Sequence, residues 1–210
     1  MILNEVKEIL EKSWTKETCS LGLRNIWTID NKALGQCAVT ALIVNDFLGG
    51  KIMRCMCESG SHYYNLINNE VVDLTDSQFK EIPDYKLGEE RTREYLLSNI
   101  DTKNRYLLLL KNVKENFIKY GTREYKLMSI NGEYLSKIPG TLGGNKKLKI
   151  YGKLDCPSAK RWIEQGKYVV NRVFFESEEV AIAAGYRPCA ICMPNEYSEW
   201  KNKCKTKKLI

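Results

Sequence analysis

The chain has 210 residues, 43% hydrophobic and 28% charged, a composition that buries a core without disulfide staples. No window approaches the ~18 uninterrupted apolar residues of a membrane span, and the opening MILNEVKEILEKSW reads as an amphipathic helix rather than a signal peptide, so the expected compartment is the cytoplasm. The formal net charge of +7 is uneven: residues 1–118 carry 15 Lys/Arg against 17 Asp/Glu, residues 119–210 carry 18 against 9. A basic second part permits a polyanionic partner such as nucleic acid, because phosphate neutralisation supplies most non-specific affinity. A solubilising lysine surface with a frayed KNKCKTKKLI tail accounts for the same charge.

Apolar residues Ile2, Val6, Ile9, Leu10 and Trp14 recur at helical spacing and mark one buried helix face. After an irregular stretch to Gly35, CAVTALIVNDFLGG is apolar almost all round and ends in two glycines, which predicts a buried helix with Cys37 at its N-terminus and a glycine C-cap. KIMRCMC, SHYYNLI and EVVDL are rich in β-branched and aromatic residues, and Asn68–Asn69 reads as a two-residue turn, so a small antiparallel sheet is expected to follow the helix. Residues 89–118 read as helical with a break near Asn99 to Asp101. YKLMSI and EYLSKI flank an Asn131–Gly132 turn, and a glycine-rich connection, TLGGNKK, leads to LKIYGKLDCPSAKRWI. SEEVAIAAG predicts a helix with Ser177 as N-cap and Gly185 as C-cap.

Eight cysteines in a reducing compartment point to metal binding or chemistry rather than to four disulfides. Cys189 and Cys192 form a C-x2-C pair on a knuckle directly after that helix, and Cys156, in the LDCPS turn, supplies a third thiolate of a tetrahedral zinc site. Buried free cysteine is the plainer account of such a trio.

YGKLDCPSA, RVFF and AAGYRPCAICMP resemble the metal-binding domain of Ada-type DNA-repair proteins, over about residues 147–200. The resemblance implies zinc, DNA as the family's partner, and four cysteines spaced C-x3-C then C-x2-C, the first accepting a methyl group from methylated DNA phosphates. Cys156, Cys189 and Cys192 match three of the four, whereas the position of the first is Gly152, which can neither ligate nor accept a methyl group. Methyl-phosphotriester repair is therefore not expected unless another group has moved in. Cys204 heads the candidates for the fourth ligand, before Asp155, a cysteine of the first domain or a water. With three thiolates and no histidine nearby, a structural zinc is expected over a catalytic one. The chain shows no helix-turn-helix pattern.

His62 is the sole histidine, and Cys37, His62, Asp73 follow the order in which papain-like and NlpC-type hydrolases present nucleophile, base and orienter. A helix N-terminus favours negative charge on Cys37, and pairing 67 with 70 across the turn places His62 and Asp73 on one sheet face. The implied reaction is acyl transfer or amide hydrolysis, with His62 as general base and the backbone N–H of Cys37, with Gln36, as oxyanion donors. A capping cysteine, a hydrogen-bonded core histidine and an aspartate closing the hairpin account for the same residues without catalysis. A metal cluster of Cys55, Cys57 and His62, and a groove lined by Trp14, Trp27, Tyr63 and Tyr64, are further expectations, each with core packing as its plainer alternative. GQCAVTALIV, FLGG, SHYYN, VVDLTDSQF and RYLLLL, over residues 13–111, resemble the YunG-like bacterial proteins, a resemblance that implies a fold unit and no substrate.

The expected architecture is α+β in two small domains. A YunG-like domain over 1–118, helix plus antiparallel sheet in a papain/NlpC-like order, leads through a β-rich basic connector over 119–146 to a zinc-stabilised Ada-like module over 147–210. Two functional classes follow: a cysteine hydrolase or acyl transferase carrying a zinc module, and a non-enzymatic zinc protein that binds nucleic acid or another macromolecule through its basic part.

Overall fold

Helix α1 (Ile2–Ser13) buries Val6, Ile9 and Leu10, the face that the apolar spacing marks. The structure, a computed structural model, describes residues 2–57 and 60–207. These divide into two compact units, Met1–Gly121 and Thr122–Ile210.

In the first unit, α2 (Cys37–Leu48) buries Val39, Thr40, Ala41, Leu42, Ile43, Val44 and Phe47, as an all-round apolar helix must. It stops at Gly49, whose φ of 75° only glycine adopts readily, with its N–H on the Asn45 carbonyl. Strands β1 (Lys51–Cys57), β2 (Gly60–Ile67) and β3 (Glu70–Val72) continue an antiparallel sheet in the order β3-β2-β1-β4. Asn68 and Asn69 both take positive φ, 53° and 67°, the geometry of a two-residue hairpin turn that matches strand twist. The sheet's other edge, β4 (Glu89–Arg91), pairs with β1 in a segment whose composition reads as helix. Its three charged residues carry no periodicity of either kind, and the pairing instead sets Glu90 on Lys51 and Glu89 on Arg54. Helix α3 (Arg93–Leu97) follows, and Asn99, at the expected break, caps α4 (Ile100–Tyr120) by accepting the Thr102 N–H. Helix α4 closes the core: Phe117 meets Phe47 at 5.4 Å between ring centroids, and Asn112 and Asn116 hold the end of α1.

The second unit begins with a hairpin, β5 (Tyr125–Ser129) and β6 (Gly132–Ser136). A sheet in the order β10-β8-β7-β9 follows, from β7 (Leu142–Asn145), β8 (Ile150–Lys153), β9 (Arg172–Phe175) and β10 (Arg187–Pro188). Helices α5 (Pro157–Glu164), α6 (Glu178–Ala183) and α7 (Pro194–Lys207) complete it. Residues 122–146 are therefore part of this unit rather than a connector, because Met128 is buried in one cluster with Tyr151, Val173, Phe175, Ala181, Tyr186 and Met193. The glycine-rich stretch is a central strand. A Cβ on Gly144 would stand 2.7 Å from the Ile150 carbonyl and 2.8 Å from the Phe175 ring, so only glycine lets the strands and the core meet there. Ser177 caps α6 by accepting the Val180 N–H, and Gly185 follows the helix at φ 80°. The basic tail is helix through Lys207, and its last three residues lie outside the described residues.

Candidate functional site

Two clusters of reactive side chains stand out, one in each unit. In the second unit, β8 delivers the chain to Cys156, the residue before α5, and α6 with its glycine stop delivers it to the Cys189–Cys192 knuckle. The three sulfurs lie within 4.8 Å of one another, and Cys156 Sγ stands 3.8 Å from Cys189 Sγ. Ligands at ~2.3 Å from a tetrahedral zinc are roughly 3.8 Å apart, so the donor set fits that ion. The Cys156 thiol is drawn down to about 5 by the Cys192 hydrogen bond, against its burial, helped by the N–H groups of Ala159 and Ser158 at the start of α5. Cys192, donating to that neighbour and buried beside it, is pushed up. Cys192 Sγ also accepts the Lys153 N–H at 3.4 Å.

Among the described residues no fourth cysteine, histidine or carboxylate joins the three, so Cys204, in α7, and Asp155 stay outside the cluster. Gly152 lies directly beneath it: a Cβ there would stand 2.7 Å from Cys192 Sγ and 3.0 Å from Cys189 Cβ. The position that resembles the methyl acceptor is thus in contact with the ligands yet brings no donor. A pocket of about 100 Å³ opens at this point, lined by Gly152, Cys156, Cys189, Trp162, Tyr168 and Arg172 among others. Arg172 leads β9 and lies across Gly143, whose Cβ would come within 2.9 Å of both terminal guanidinium nitrogens. The sequence marks RVFF as part of a match but gives its arginine no role, because only the sheet brings residue 172 beside residues 143 and 152.

In the first unit, β2 places His62 1% exposed, with its ring edge against Phe79 at 4.7 Å. His62 Nε2 is 2.5 Å from Asp73 Oδ2, just beyond the end of β3, as the 67–70 pairing implies. The carboxylate is fully engaged: Oδ2 also accepts the Tyr85 hydroxyl at 2.9 Å, and Oδ1 accepts the Thr75 N–H and hydroxyl at 2.8 and 2.9 Å. Thr75 was legible as an Asx-turn partner two residues on, whereas Tyr85 arrives from a short 3-10 turn, Tyr85–Leu87, with no sequence signal for the contact. Burial raises and the His62 hydrogen bond and charge lower the Asp73 carboxyl, which ends below its usual range. For His62, burial opposes the charge, but the Asp73 hydrogen bond and the neighbouring Cys37 outweigh it and hold the imidazole up at about 9.

Cys37, the first residue of α2, is half-buried beside this ring. His62 Nδ1 is buried with no hydrogen-bond partner of good geometry, which leaves it as the nitrogen for the Cys37 side. The Gln36 N–H donates to the Ala33 carbonyl and its carboxamide to the Thr15 carbonyl, so both Gln36 donors are already engaged. Of the expected metal cluster, Cys55 faces His62 across the β1–β2 ladder, but His62 is committed to Asp73, and among the described residues only the Cys156 group forms a ligand cluster. Burial pushes the Cys55 thiol up to about 12, which marks a packed thiol rather than a ligand. Trp14, bonded to Thr40, and Tyr64, bonded to the Tyr85 carbonyl, are core. Tyr63 lines an open pocket of about 430 Å³ with Ala38, the residue after Cys37, and Tyr95.

Fold and site together define a two-unit α+β protein with a three-cysteine zinc site in its second unit. Residues 2–118 match the family described as YunG protein, and the chain belongs to that family. Residues 142–195 match the metal binding domain of Ada. A Bacillus subtilis (strain 168) relative, "Uncharacterized protein YunG", is 35% identical over 98 residues, which cover 46% of this chain and 81% of the relative. No solved structure matches. No described helix is long and apolar enough to cross a membrane.

Proposed function

We propose that the first unit is a cysteine hydrolase or acyl transferase working through Cys37, His62 and Asp73, and that the zinc site of the second unit serves that unit's own fold. The observation that carries the reading is the buried His62–Asp73 contact at 2.5 Å with Cys37 at a helix N-terminus on the imidazole's other side. The Cys37 sulfur adds to a carbonyl carbon, and the negative charge that develops on oxygen is met by the Cys37 N–H. The proton that His62 holds on Nδ1 is the one the Cys37 thiol gives up, an imidazolium–thiolate pair that the raised imidazole favours, and the imidazolium passes it to the leaving amine or alcohol, which departs and leaves a thioester. A water, or a second nucleophile in the transferase case, gives its proton to His62 and cleaves the thioester, restoring the thiol. Asp73, locked by Thr75 and Tyr85, fixes the ring and balances the imidazolium.

The test is residue-resolved alkylation by iodoacetamide at neutral pH. Cys37 is expected to react ahead of the buried Cys19 and Cys55, and His62→Ala to slow it by about tenfold or more, with Asp73→Asn in between. Equal Cys37 rates in wild type and His62→Ala would sink the reading.

A second reading rests on the surface of the second unit, where Arg187 lies over the half-buried Tyr197 and Trp200 at 5.4 and 5.6 Å. Cations interleaved with aromatic rings are the chemistry of single-stranded nucleic-acid binding. Affinity for a fluorescent oligonucleotide should then fall steeply between about 50 and 200 mM salt, and Arg187→Ala should reduce it. Binding independent of salt and of Arg187 would remove nucleic acid as the partner.

A further inference from the structure

The pocket over the zinc ligands combines three features that a purely structural zinc site does not need. The chain brings three thiolates together and, where a fourth side chain would approach, carries Gly152. The pocket wall includes Cys156 and Cys189 but not Cys192, so two of the ligands are open from one side. Its volume of about 100 Å³ exceeds the share of a single water, ~30 Å³ in the liquid, and admits a ligand of several heavy atoms.

The third feature is Arg172. It is half-buried, flanked by the rings of Phe174 and Tyr168 at 5.1 and 5.8 Å, and no carboxylate pairs with it among the described residues. A guanidinium withdrawn from water normally has an anion beside it. The same pocket wall carries Cys156 and Cys189, two of the three metal-facing thiols. Three thiolates on a divalent ion leave one negative charge, and a fourth anionic ligand adds another, which the fixed cation at the pocket wall offsets.

We infer that this pocket is a ligand site in which a small exogenous thiolate completes the coordination that Gly152 leaves open, held by Arg172. Sulfur is favoured over oxygen because an all-thiolate donor set is soft and matches a fourth soft ligand. The entering thiol loses its proton to solvent and displaces any water at that corner, so no oxidant or reductant is required. Trp162 and Tyr168 give the pocket apolar walls for the carbon portion of such a ligand. Arg172 acts as a positioning residue, drawing the anion in without touching the ion.

The full-length protein, loaded with Co²⁺ in place of zinc and kept reduced with a phosphine, reports the number of thiolates through its sulfur-to-cobalt absorption. Addition of 2-mercaptoethanol should raise that absorption by about a third, as three thiolates become four. Arg172→Ala should retain the three-thiolate spectrum and shift the thiol midpoint up by about tenfold, with Arg172→Lys recovering part of the loss. No change on adding thiol would overturn the inference. So would an unchanged midpoint in Arg172→Ala, or a response to acetate or phosphate that the thiol does not produce.

Discussion

Cys189→Ser is expected to lose the zinc and, with it, the fold of the second unit, while residues 2–118 keep theirs. The buried cluster of that unit is small, seven residues from Met128 to Met193, with Cys192 packed against it. Cys156 lies in the turn between β8 and α5, and the knuckle links the two-residue strand β10 to α7. Structural zinc contributes roughly 10–16 kcal/mol to the folding of small zinc domains at neutral pH, and a unit with some core of its own should lose at least several of these. For a domain of this size each 1 kcal/mol moves Tm by about 4–8 °C, so a fall of about 20 °C or more is expected on mutation or chelation. Metal content by mass spectrometry together with hydrogen exchange is the direct check: one zinc per chain in wild type, none in Cys189→Ser, and protection lost over the second unit, from residue 122 onward, alone. A mutant that kept one zinc per chain would show that Cys189 is not a ligand. Unchanged protection after complete metal loss would show that the unit does not lean on its ion.

What the residues disclosed without the fold was mainly local. The all-round apolar run, its terminal glycines, the Asn68–Asn69 turn and the Ser177 cap each encode one backbone choice within a few residues, and each appears where that chemistry places it. Strand β4 was not legible, because an edge strand of Glu89, Glu90 and Arg91 has neither alternation nor β-branching, and the residues it meets on β1 lie 35 or more positions away in sequence. Strand β7 was hidden for the opposite reason. Gly143 and Gly144 look like a linker in isolation, and their need for small residues comes from Arg172, Ile150 and Phe175, which only the folded sheet supplies.

The same division holds at the sites. The cysteine spacing exposed the three zinc ligands, and the chain order of Cys37, His62 and Asp73 exposed a second cluster, because in both cases the chemistry restricts the residue types. The partners that complete those clusters come from elsewhere in the fold and are of common types: Tyr85 on Asp73, Arg172 in the pocket. Cys204 was attractive as a fourth ligand on spacing alone, but helix α7 continues through it and it does not join the trio.

The buried His62–Asp73 pair should make stability depend on pH in a way that Asp73→Ala removes. His62 is held at about 9 against 6.5 for an ordinary histidine, so the folded state binds its proton more tightly than the unfolded chain. Its contribution is complete below about pH 6.5 and is lost as pH rises from there through about 9. Asp73 is shifted downward, so its share is present above the ordinary carboxylate value of 3.8 and fades as pH falls through the lower folded value. The Asp73 shift and the part of the His62 shift that Asp73 causes describe one interaction, counted once, with its plateau between about pH 4 and 6.5, and Cys37 supplies the rest of the His62 shift. The 6.5-to-9 displacement corresponds to about 3 kcal/mol on the alkaline side. Removing the carboxylate alone strands a buried imidazolium, or forces it neutral, and also leaves the Tyr85 and Thr75 donors unmatched, so Asp73→Ala should cost about 3–5 kcal/mol near pH 6. By pH 10 the imidazole is neutral in wild type as well, and the difference should shrink to the loss of the Tyr85 and Thr75 hydrogen bonds. Urea unfolding of wild type, Asp73→Ala and His62→Gln at pH 6, 8 and 10 measures this, followed through hydrogen exchange of residues in α2 and β2. A mutant penalty that is the same at pH 6 and pH 10 would mean that the pair is not ionised in the folded protein, and would take away the imidazolium on which the proposed chemistry of Cys37 depends.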